Sequence, residues 1–308
     1  MPTYDAAAVL GPGGAPGEWG EPQRISWQKR DALLYAVGVG CRDLRYVWEG
    51  HPAFSLVPTF SIRFGGRGAP MDETAVPRSP GPLTIDAERY LEMMHPLPVE
   101  GAVTVRSRVI GVHPRGKGNG FVETESAVTN ADGVECIKMV GGSFRRGVEK
   151  LGDIESFEGA GETFSAKLEV PDREADVAVE QYIPDNQAHL YRLSGDYNPL
   201  HIDPQAAQFG GFDAPILHGL CTFGHCCQIL LGALCDGDST RFRRIKVRFS
   251  SPVFLQDTLR VRAWHDGPGR VLFEADVEGK VVVSNAFFEF SEAQRPQQQK
   301  PLEQHARL

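Results

Sequence analysis

One pattern occurs twice along the chain: a helical segment with apolar residues is followed by several strand-like runs. In the second half the helix is "LHGLCTFGHCCQILLGAL", where Leu220, Phe223, Cys227, Leu230 and Leu231 recur at helical intervals. The runs "RRIKVRFSSPVF", "TLRVRAWHD", "RVLFEADVEG" and "VVVSNAFFEF" follow it as predicted strands. The repeated plan predicts an α+β protein of two similar halves, each with a curved antiparallel sheet around a helix.

The first half repeats this plan less regularly. Its predicted helix, "ISWQKRDALLYAVGVG", carries Leu33, Leu34 and Val37 at helical spacing. The segment "AFSLVPTFSIRF" is predicted to be extended, and "IDAERYLEMMHPLP" to be a short helix that stops at Pro96. Three predicted strands follow, "GAVTVRSRVIGV", "GFVETESAVTN" and "VECIKMVGGSFR".

Length and composition predict the domain organisation. A chain of 308 residues exceeds the usual size of one domain. We expect a flexible arm rich in Gly and Pro over 1–22, an N-terminal domain over 23–150, a linker over 151–166, a C-terminal domain over 167–292 and a flexible tail over 293–308.

Charge and cysteine content exclude several function classes. A net charge of −8 argues against nucleic-acid binding, and no apolar run approaches the ~20 residues that span a bilayer. The N-terminus has neither the basic region nor the apolar core of a secretory signal. Four of the six cysteines lie near His225, but no CxxC pair is present, so we predict buried free thiols and no metal site.

The segment "YRLSGDYNPLHIDPQAAQFGGFDAPILHG" is the strongest candidate for chemistry. Asp196, Asn198 and His201 lie within six residues, and Pro199 prevents a continuous helix between them. A turn at "GDYNP" would direct the carboxyl group and the imidazole to one small volume, where they suit general acid–base work on a water molecule. Asn198 would hold that water or orient the carboxylate.

Gly219 stands at the predicted start of the long helix. The free N–H groups and the dipole of a helix N-terminus favour negative charge, and a glycine there allows a substrate carbonyl to approach the backbone. Taken singly, Asp196 would be a helix cap, Asn198-Pro199 a turn and His201 a buried histidine. The combination with the downstream "LHG" is much harder to explain by capping.

The motifs "YRLSGDYNPLHIDP" and "PILHGLCTFG" resemble the signature of the R-specific enoyl-CoA hydratases, or hydratase 2, in the MaoC-like branch of the hot-dog fold. "YAVGVG", "DLRYVWEG", "LVPTF", "YLEMMHPLP" and "RGKG" extend the resemblance from about Arg30 to Phe290. The chain is similar to the eukaryotic peroxisomal form, which has two hot-dog halves in one polypeptide. The resemblance implies a double hot-dog fold, with the hydratase motif in the C-terminal domain.

The resemblance also implies a reaction, the reversible hydration of trans-2-enoyl-CoA to (3R)-3-hydroxyacyl-CoA in fatty acid β-oxidation. Asp196 and His201 would be the catalytic dyad, Asn198 would position the water and the Gly219 amide would polarise the thioester carbonyl. Further matching positions imply contact with substrate or CoA, at Arg115, Phe249, Asp86, Ala87, Gly195, Tyr197, Pro199 and Leu200. Others imply supporting roles, at Glu49, Tyr35, Tyr191, Asp203 and His218.

One departure from the family concerns CoA binding. Relatives usually read "LHGEQY" where this chain reads "IDAERY", so Asp86 replaces a histidine and Ala87 a glycine. We expect a carboxylate at this position to repel phosphate.

Positive charge for the CoA phosphates is available in two places. Arg115 and Lys117 lie in "PRGKGNG", and Arg244, Lys246 and Arg248 alternate along one predicted strand. No metal or redox cofactor is expected, since the CoA thioester is the substrate. Because the N-terminal half has no comparably long apolar helix, we expect it to accommodate the acyl chain.

Two alternatives of different classes stay open. One is another hot-dog enzyme, an acyl-CoA thioesterase or a carrier-protein dehydratase; the other is a non-catalytic acyl-CoA-binding subunit.

We expect a homodimer, because open sheet edges tend to be paired or covered. The final residues Ala306, Arg307 and Leu308 resemble a peroxisomal targeting signal, which predicts recognition by the import receptor and a peroxisomal location, otherwise a cytoplasmic one.

Overall fold

Ten antiparallel strands form one continuous sheet in the structure, a computed structural model that describes residues 10–11, 15–67, 69, 79, 84–115, 118–148 and 166–292. The strands are β1 Gln23–Trp27, β2 Thr84–Met93, β3 Gly101–Pro114, β4 Asn119–Thr129, β5 Glu135–Arg146, β6 Val177–Tyr182, β7 Phe242–Phe249, β8 Thr258–His265, β9 Arg270–Val277 and β10 Lys280–Phe290.

The strand order shows that the two halves have the same topology. The order is β1-β3-β4-β5-β2 in the first half and, continuing across the sheet, β7-β10-β9-β8-β6 in the second. In each half the last three strands form a meander, with one strand added at either side. The halves join where β2 pairs antiparallel with β7. The predicted α+β architecture of two similar halves is confirmed.

The helices occupy corresponding places in the two halves. They are α1 Lys29–Gly38, α2 Leu44–Val47, α3 Gln187–Tyr191, α4 Pro204–Phe209 and α5 Gly219–Cys235, with 3-10 helices at Pro58–Phe64, Arg192–Ser194, Pro199–His201 and Ser239–Arg241. Helix α5 is the predicted long apolar helix and is buried along most of its length. All six cysteines are free and buried, as the sequence predicts.

Four local predictions for the first half are wrong. The first residues of the predicted helix, Ile25 to Trp27, belong to β1, and the helix begins at Lys29. The segment predicted as a short helix is β2, which pairs with β5 on one side and with β7 on the other; these long-range hydrogen bonds override its helical spacing. The segment predicted as extended contains the 3-10 helix Pro58–Phe64. The predicted apolar face of α1 included Val37, but this side chain is 42% exposed, and the buried face includes Tyr35 and Ala36.

Side chains fill much of the N-terminal half, contrary to the expectation of a vacant space for an acyl chain. Phe60, Ile62 and Phe64 of the 3-10 helix are buried, and the rings of Phe60 and Phe64 lie 5.9 and 5.7 Å from that of Trp27. A cavity of about 110 Å³ remains beside them, lined in part by Met93. The 3-10 helix therefore takes much of the place that a longer helix would occupy.

The predicted arm and linker are only partly described. Gly17 and Gly20 donate backbone hydrogen bonds to Val109 and Ser107 of β3 at 2.9 Å, so this part of the arm is held against the sheet. Most of the linker and the whole tail, including the targeting-like tripeptide, lie outside the described residues. No helix in the described ranges is long and apolar enough to cross a membrane.

Candidate active site

Two successive side-chain turns fold the segment that carries the candidate dyad. Gly195, with φ at 118°, ends the preceding 3-10 helix in a conformation that favours glycine. The Asp196 carboxylate then accepts a hydrogen bond from the Asn198 backbone N–H at 3.2 Å, and Asn198 Oδ1 accepts from the Leu200 N–H at 3.1 Å. These turns direct Asp196 and His201 to one cavity, as the sequence predicts.

The position of His201 defines which of its nitrogens is available. The side chain is buried, and Nδ1–H donates to the Ile216 carbonyl oxygen at 2.9 Å. Since a carbonyl only accepts, Nδ1 carries the proton and Nε2 keeps its lone pair. Burial lowers the pKa of His201, partly offset by this hydrogen bond and by the charges of Asp196 and Asp86. The imidazole is therefore a neutral proton acceptor near pH 7.

A second histidine supports the first. The His218 ring stacks on that of His201, with centroids 3.6 Å apart and planes inclined by 24°, and its Nε2–H donates to the Asp196 backbone carbonyl at 3.2 Å. Tyr191 lies behind His218 at 4.9 Å, and Tyr35 lies 6.1 Å from Tyr191. His218 thus ties the segment that bears Asp196 to the His201 ring, and both tyrosines are buried support.

The same side chains contain the atoms of a possible metal site. Ligand-type atoms of Asp196, His201 and His218 lie within 4.8 Å of one another, the only such group among the described residues, and it includes no cysteine. The two imidazole rings stack on each other at an interplanar angle of 24°. One nitrogen of each ring already donates to a carbonyl. The geometry therefore fits acid–base chemistry better than metal ligation.

Gly219 is the first residue of α5 and lines the same cavity. A Cβ atom at this position would lie 3.4 Å from the ring of Phe249, so the glycine leaves the backbone open to a ligand. The first N–H groups of a helix have no partner within the helix, and the 17-residue α5 adds its dipole. This end of the cavity suits a carbonyl oxygen that gains negative charge.

The cavity has a volume of about 310 Å³ and draws residues from both halves of the chain. Thr84, Ile85 and Asp86 of β2 come from the first half. Its apolar walls are Leu200, Phe212, Ile216, Leu217, Phe249 and Val253. Thr84, Phe212 and Thr222 also line the cavity but were not predicted from the sequence. Of these, only Thr222 could have been predicted, because it lies one helical turn after Gly219 and so on the same face of α5.

Several residues singled out by the resemblance lie elsewhere. Tyr197 is 58% exposed and packs under the Arg192 guanidinium, whereas Arg115 is exposed at the turn after β3. Glu49 is exposed in the turn after α2, and Asp203 caps α4 by accepting from the Gln205 N–H at 2.9 Å.

Two residues of this group have backbone roles. Pro199 begins the 3-10 helix that carries His201. Ala87 lies at a register shift in the pairing of β2 with β5, between Asp86 and Glu88.

Asp86 does line the cavity, but its charge is not isolated. The Arg89 guanidinium, three residues on in β2, forms an ion pair with the Asp86 carboxylate. Room for this guanidinium exists because residue 141 of β5 is glycine, where a Cβ atom would collide with Arg89 Nη1. The Arg89 guanidinium therefore reduces the expected repulsion between Asp86 and phosphate.

The alternating basic strand is not a free anion site. In β7, Arg244 pairs with Glu289 and Arg248 pairs with Glu88. Lys246 is buried, its Nζ donates to the Ala166 carbonyl at 3.3 Å, and burial lowers its pKa to about 8. The other predicted group of basic residues lies in the β3–β4 turn and includes Arg115. Lys117 of that turn lies outside the described residues.

Comparison with protein families defines the class. The MaoC like domain matches residues 165–286, and the MFE-2 hydratase 2 N-terminal domain matches residues 25–147. A mycobacterial protein described as having a double hotdog fold shares the architecture at a TM-score of 0.56 and 13% identity. The fold and the site thus define a MaoC-like protein with a double hot-dog fold.

Individual relatives narrow this class. A probable enoyl-CoA hydratase 2 from Dictyostelium discoideum is 31% identical, with 86% of this chain and 91% of that protein covered. Peroxisomal multifunctional enzyme type 2 from Mus musculus is 34% identical over 90% of this chain, which spans only 38% of the mouse protein. The chain belongs to the enoyl-CoA hydratase 2 family.

Solved structures agree. A MaoC-like dehydratase from Phytophthora capsici superposes with a TM-score of 0.77 at 36% identity, covering 91% of this chain and 97% of that one. Full-length peroxisomal multifunctional enzyme type 2 from Drosophila melanogaster superposes with a TM-score of 0.75 at 31% identity, covering 89% of this chain and 48% of that one.

Proposed function

We propose that this protein is an (R)-specific 2-enoyl-CoA hydratase that converts trans-2-enoyl-CoA to (3R)-3-hydroxyacyl-CoA in fatty acid β-oxidation. The observation that carries the proposal is the convergence of Asp196, the unprotonated Nε2 of His201 and the start of α5 at Gly219 on one cavity. Relatives named enoyl-CoA hydratase 2 support the same activity.

In this proposal each group has a role. The thioester carbonyl lies at Gly219, whose N–H stabilises the negative charge that develops on oxygen when C3 is attacked. Asp196 and His201 hold a water molecule and remove its proton as the hydroxyl adds to C3. The same proton is then delivered to C2, so that water is added across the double bond. The fixed placement of the water on one face of the alkene gives a single stereochemical product.

Asn198 has two roles in this proposal. Its Oδ1 accepts a hydrogen bond from the Leu200 N–H, and its amide N–H₂ is available as a donor to the cavity. The side chain thus stabilises the turn that presents His201 and contributes one donor for water or substrate.

Substitution of the dyad tests the proposal against a non-catalytic subunit. Asp196→Asn and His201→Gln keep the size of each side chain but remove its acid–base function. We expect either change to reduce turnover by about 10²–10⁴-fold, while acyl-CoA binding by calorimetry stays near wild type. An unchanged turnover, or a wild-type protein that binds acyl-CoA without converting it, would reject the assignment.

The location and assembly of the protein extend this proposal. Relatives are named peroxisomal, which supports a peroxisomal location and recognition by the import receptor. A fluorescent fusion that preserves the C-terminus, compared with the same fusion lacking Leu308, tests this. Strands β1 and β6 are the two edges of the sheet, and association into a homodimer would cover one of them. Measurement of the molecular mass in solution tests this association.

A further inference from the structure

Two arginines of the N-terminal half lie at the same corner of the sheet. The Arg115 backbone N–H donates to the Asn119 carbonyl at 2.9 Å, which closes the turn between β3 and β4. Asn119 is in turn the direct partner of Arg146 at the end of β5. Arg115, which follows β3, and Arg146 of β5 therefore lie on opposite sides of Asn119 in β4.

This corner adjoins the mouth of the catalytic cavity. Arg146 Nη1 donates to the Gly210 carbonyl oxygen at 3.2 Å, across the boundary between the halves. A Cβ atom on Gly211 would lie 3.6 Å from Arg146 Nη2. The next residue, Phe212, lines the cavity that holds the dyad. The Arg146 guanidinium therefore lies beside Gly210 and Gly211, the two residues that precede Phe212 in the chain.

Within the described ranges, neither arginine forms an ion pair with a carboxylate. Arg146 donates to a backbone carbonyl, and Arg115 donates to the Pro114 carbonyl at 3.2 Å while its guanidinium lies 5.6 Å from the Phe121 ring. The basic residues of β7 differ, since Arg244 and Arg248 have glutamate partners. Among the described residues, this corner therefore has two positive charges without an ion-pair partner, on a protein whose net charge is −8.

We propose that Arg146, together with Arg115, forms an anion site at the cavity mouth that binds a phosphate group of CoA; this rests on the proposed function. A guanidinium binds phosphate through paired, charge-assisted hydrogen bonds, which are stronger than its present bond to a neutral carbonyl. Arg146 exchanges the Gly210 carbonyl for phosphate when the thioester occupies the cavity. It is a binding residue for CoA and takes no part in the chemistry.

Equilibrium binding of CoA and of pantetheine, which has no phosphate, tests the site without reference to turnover. We expect Arg146→Gln to raise the Kd of CoA about tenfold or more and to leave the Kd of pantetheine unchanged. The matched control is Arg243→Gln, because Arg243 is exposed and also donates only to backbone carbonyls, at 3.1 Å from Thr240 and Phe242. Arg243→Gln removes one positive charge at a position away from the cavity, so we expect it to leave the Kd values of CoA and pantetheine unchanged.

Two results would overturn the anion site. One is an Arg146→Gln protein that binds CoA as tightly as the control does; the other is equal weakening of CoA and pantetheine, which would mean that Arg146 acts only by holding Gly210. Arg146→Lys keeps the charge and part of the affinity, so it provides the comparison if the glutamine variant unfolds. Hydration of enoyl-CoA by the wild type is measured separately, so failure of the proposed function and failure of this site are distinguishable.

Discussion

The imidazole ring of His201 stacks on that of His218, with the centroids 3.6 Å apart. The contact fixes the His201 plane from one side, while the Ile216 carbonyl fixes its Nδ1 end. Since Nε2 must point at the reacting water, a rotation of this ring would misplace the proton acceptor. His218 is accordingly a positioning residue for the proposed dyad.

Replacement of His218 tests this role. His218→Phe keeps an aromatic ring against His201 but loses the Nε2–H bond to the Asp196 carbonyl. We expect kcat to fall about tenfold, with acyl-CoA affinity retained, because a loosened Asp196 turn costs about 1 kcal/mol or more of transition-state stabilisation. His189→Phe, at an exposed site in α3, is the control. A fall in affinity with kcat unchanged would contradict the positioning role.

Gly219 and Gly232 of the same helix form a matched pair for the carbonyl site. Gly219→Ala places a Cβ atom 3.4 Å from the Phe249 ring, at the point where the substrate oxygen must reach the backbone. We expect kcat/KM to fall about 10²-fold with little change in stability. Gly232→Ala meets nothing within 4 Å, so it should retain activity and stabilise the helix by about 0.5–1 kcal/mol. Equal activity of both variants would argue against backbone polarisation at Gly219.

Stability should fall in mildly acid solution because of buried histidines. Burial lowers the pKa of both His218 and His225 to about 3 from a usual value of 6.5. Below about pH 6.5 the unfolded chain binds protons on these side chains and the folded protein does not. Their contribution to the free energy of unfolding is therefore complete above pH 6.5 and is lost as the pH falls from there towards 3.

Urea denaturation measures the effect. Each histidine contributes a slope of about 1.4 kcal/mol per pH unit below pH 6. His225→Gln, which retains a polar partner for Gln181, should reduce the slope between pH 6 and 5 by about that amount. The exposed His189→Gln should leave it unchanged. A slope that is the same in His225→Gln and wild type would show that His225 is protonated in the folded protein.

Because Asp86 and Arg89 form an ion pair, we expect the effects of their substitutions on stability and on CoA binding to be non-additive. Arg89→Met leaves the Asp86 carboxylate without its cation at the cavity wall, so we expect loss of about 1–3 kcal/mol of stability and weaker CoA binding. The double variant Asp86→Ala/Arg89→Met removes both charges and should recover part of both losses. If the two substitutions instead act additively in calorimetry and denaturation, the pair is not a unit.

Sequence patterns predicted the local parts of this protein better than the long-range ones. The turn at Asp196, the start of α5 and strands β7 to β10 were predicted from the patterns of neighbouring residues. Strand β6, which pairs only with β8, was not predicted. Strand β2 depends on hydrogen bonds to β5 and β7, far away in sequence, so its helical spacing was misleading. The neutralisation of Asp86 had the same origin, because it followed from β2 being a strand whose neighbour carries Gly141.

The most direct test of the central claim follows the absorbance of the enoyl-thioester band as purified protein acts on trans-2-enoyl-CoA of several chain lengths, with a thiol reagent in a parallel sample. We expect loss of absorbance, release of no free thiol and formation of (3R)-3-hydroxyacyl-CoA. Release of thiol would make the protein a thioesterase. Tight acyl-CoA binding without loss of absorbance at any length would contradict the hydratase assignment.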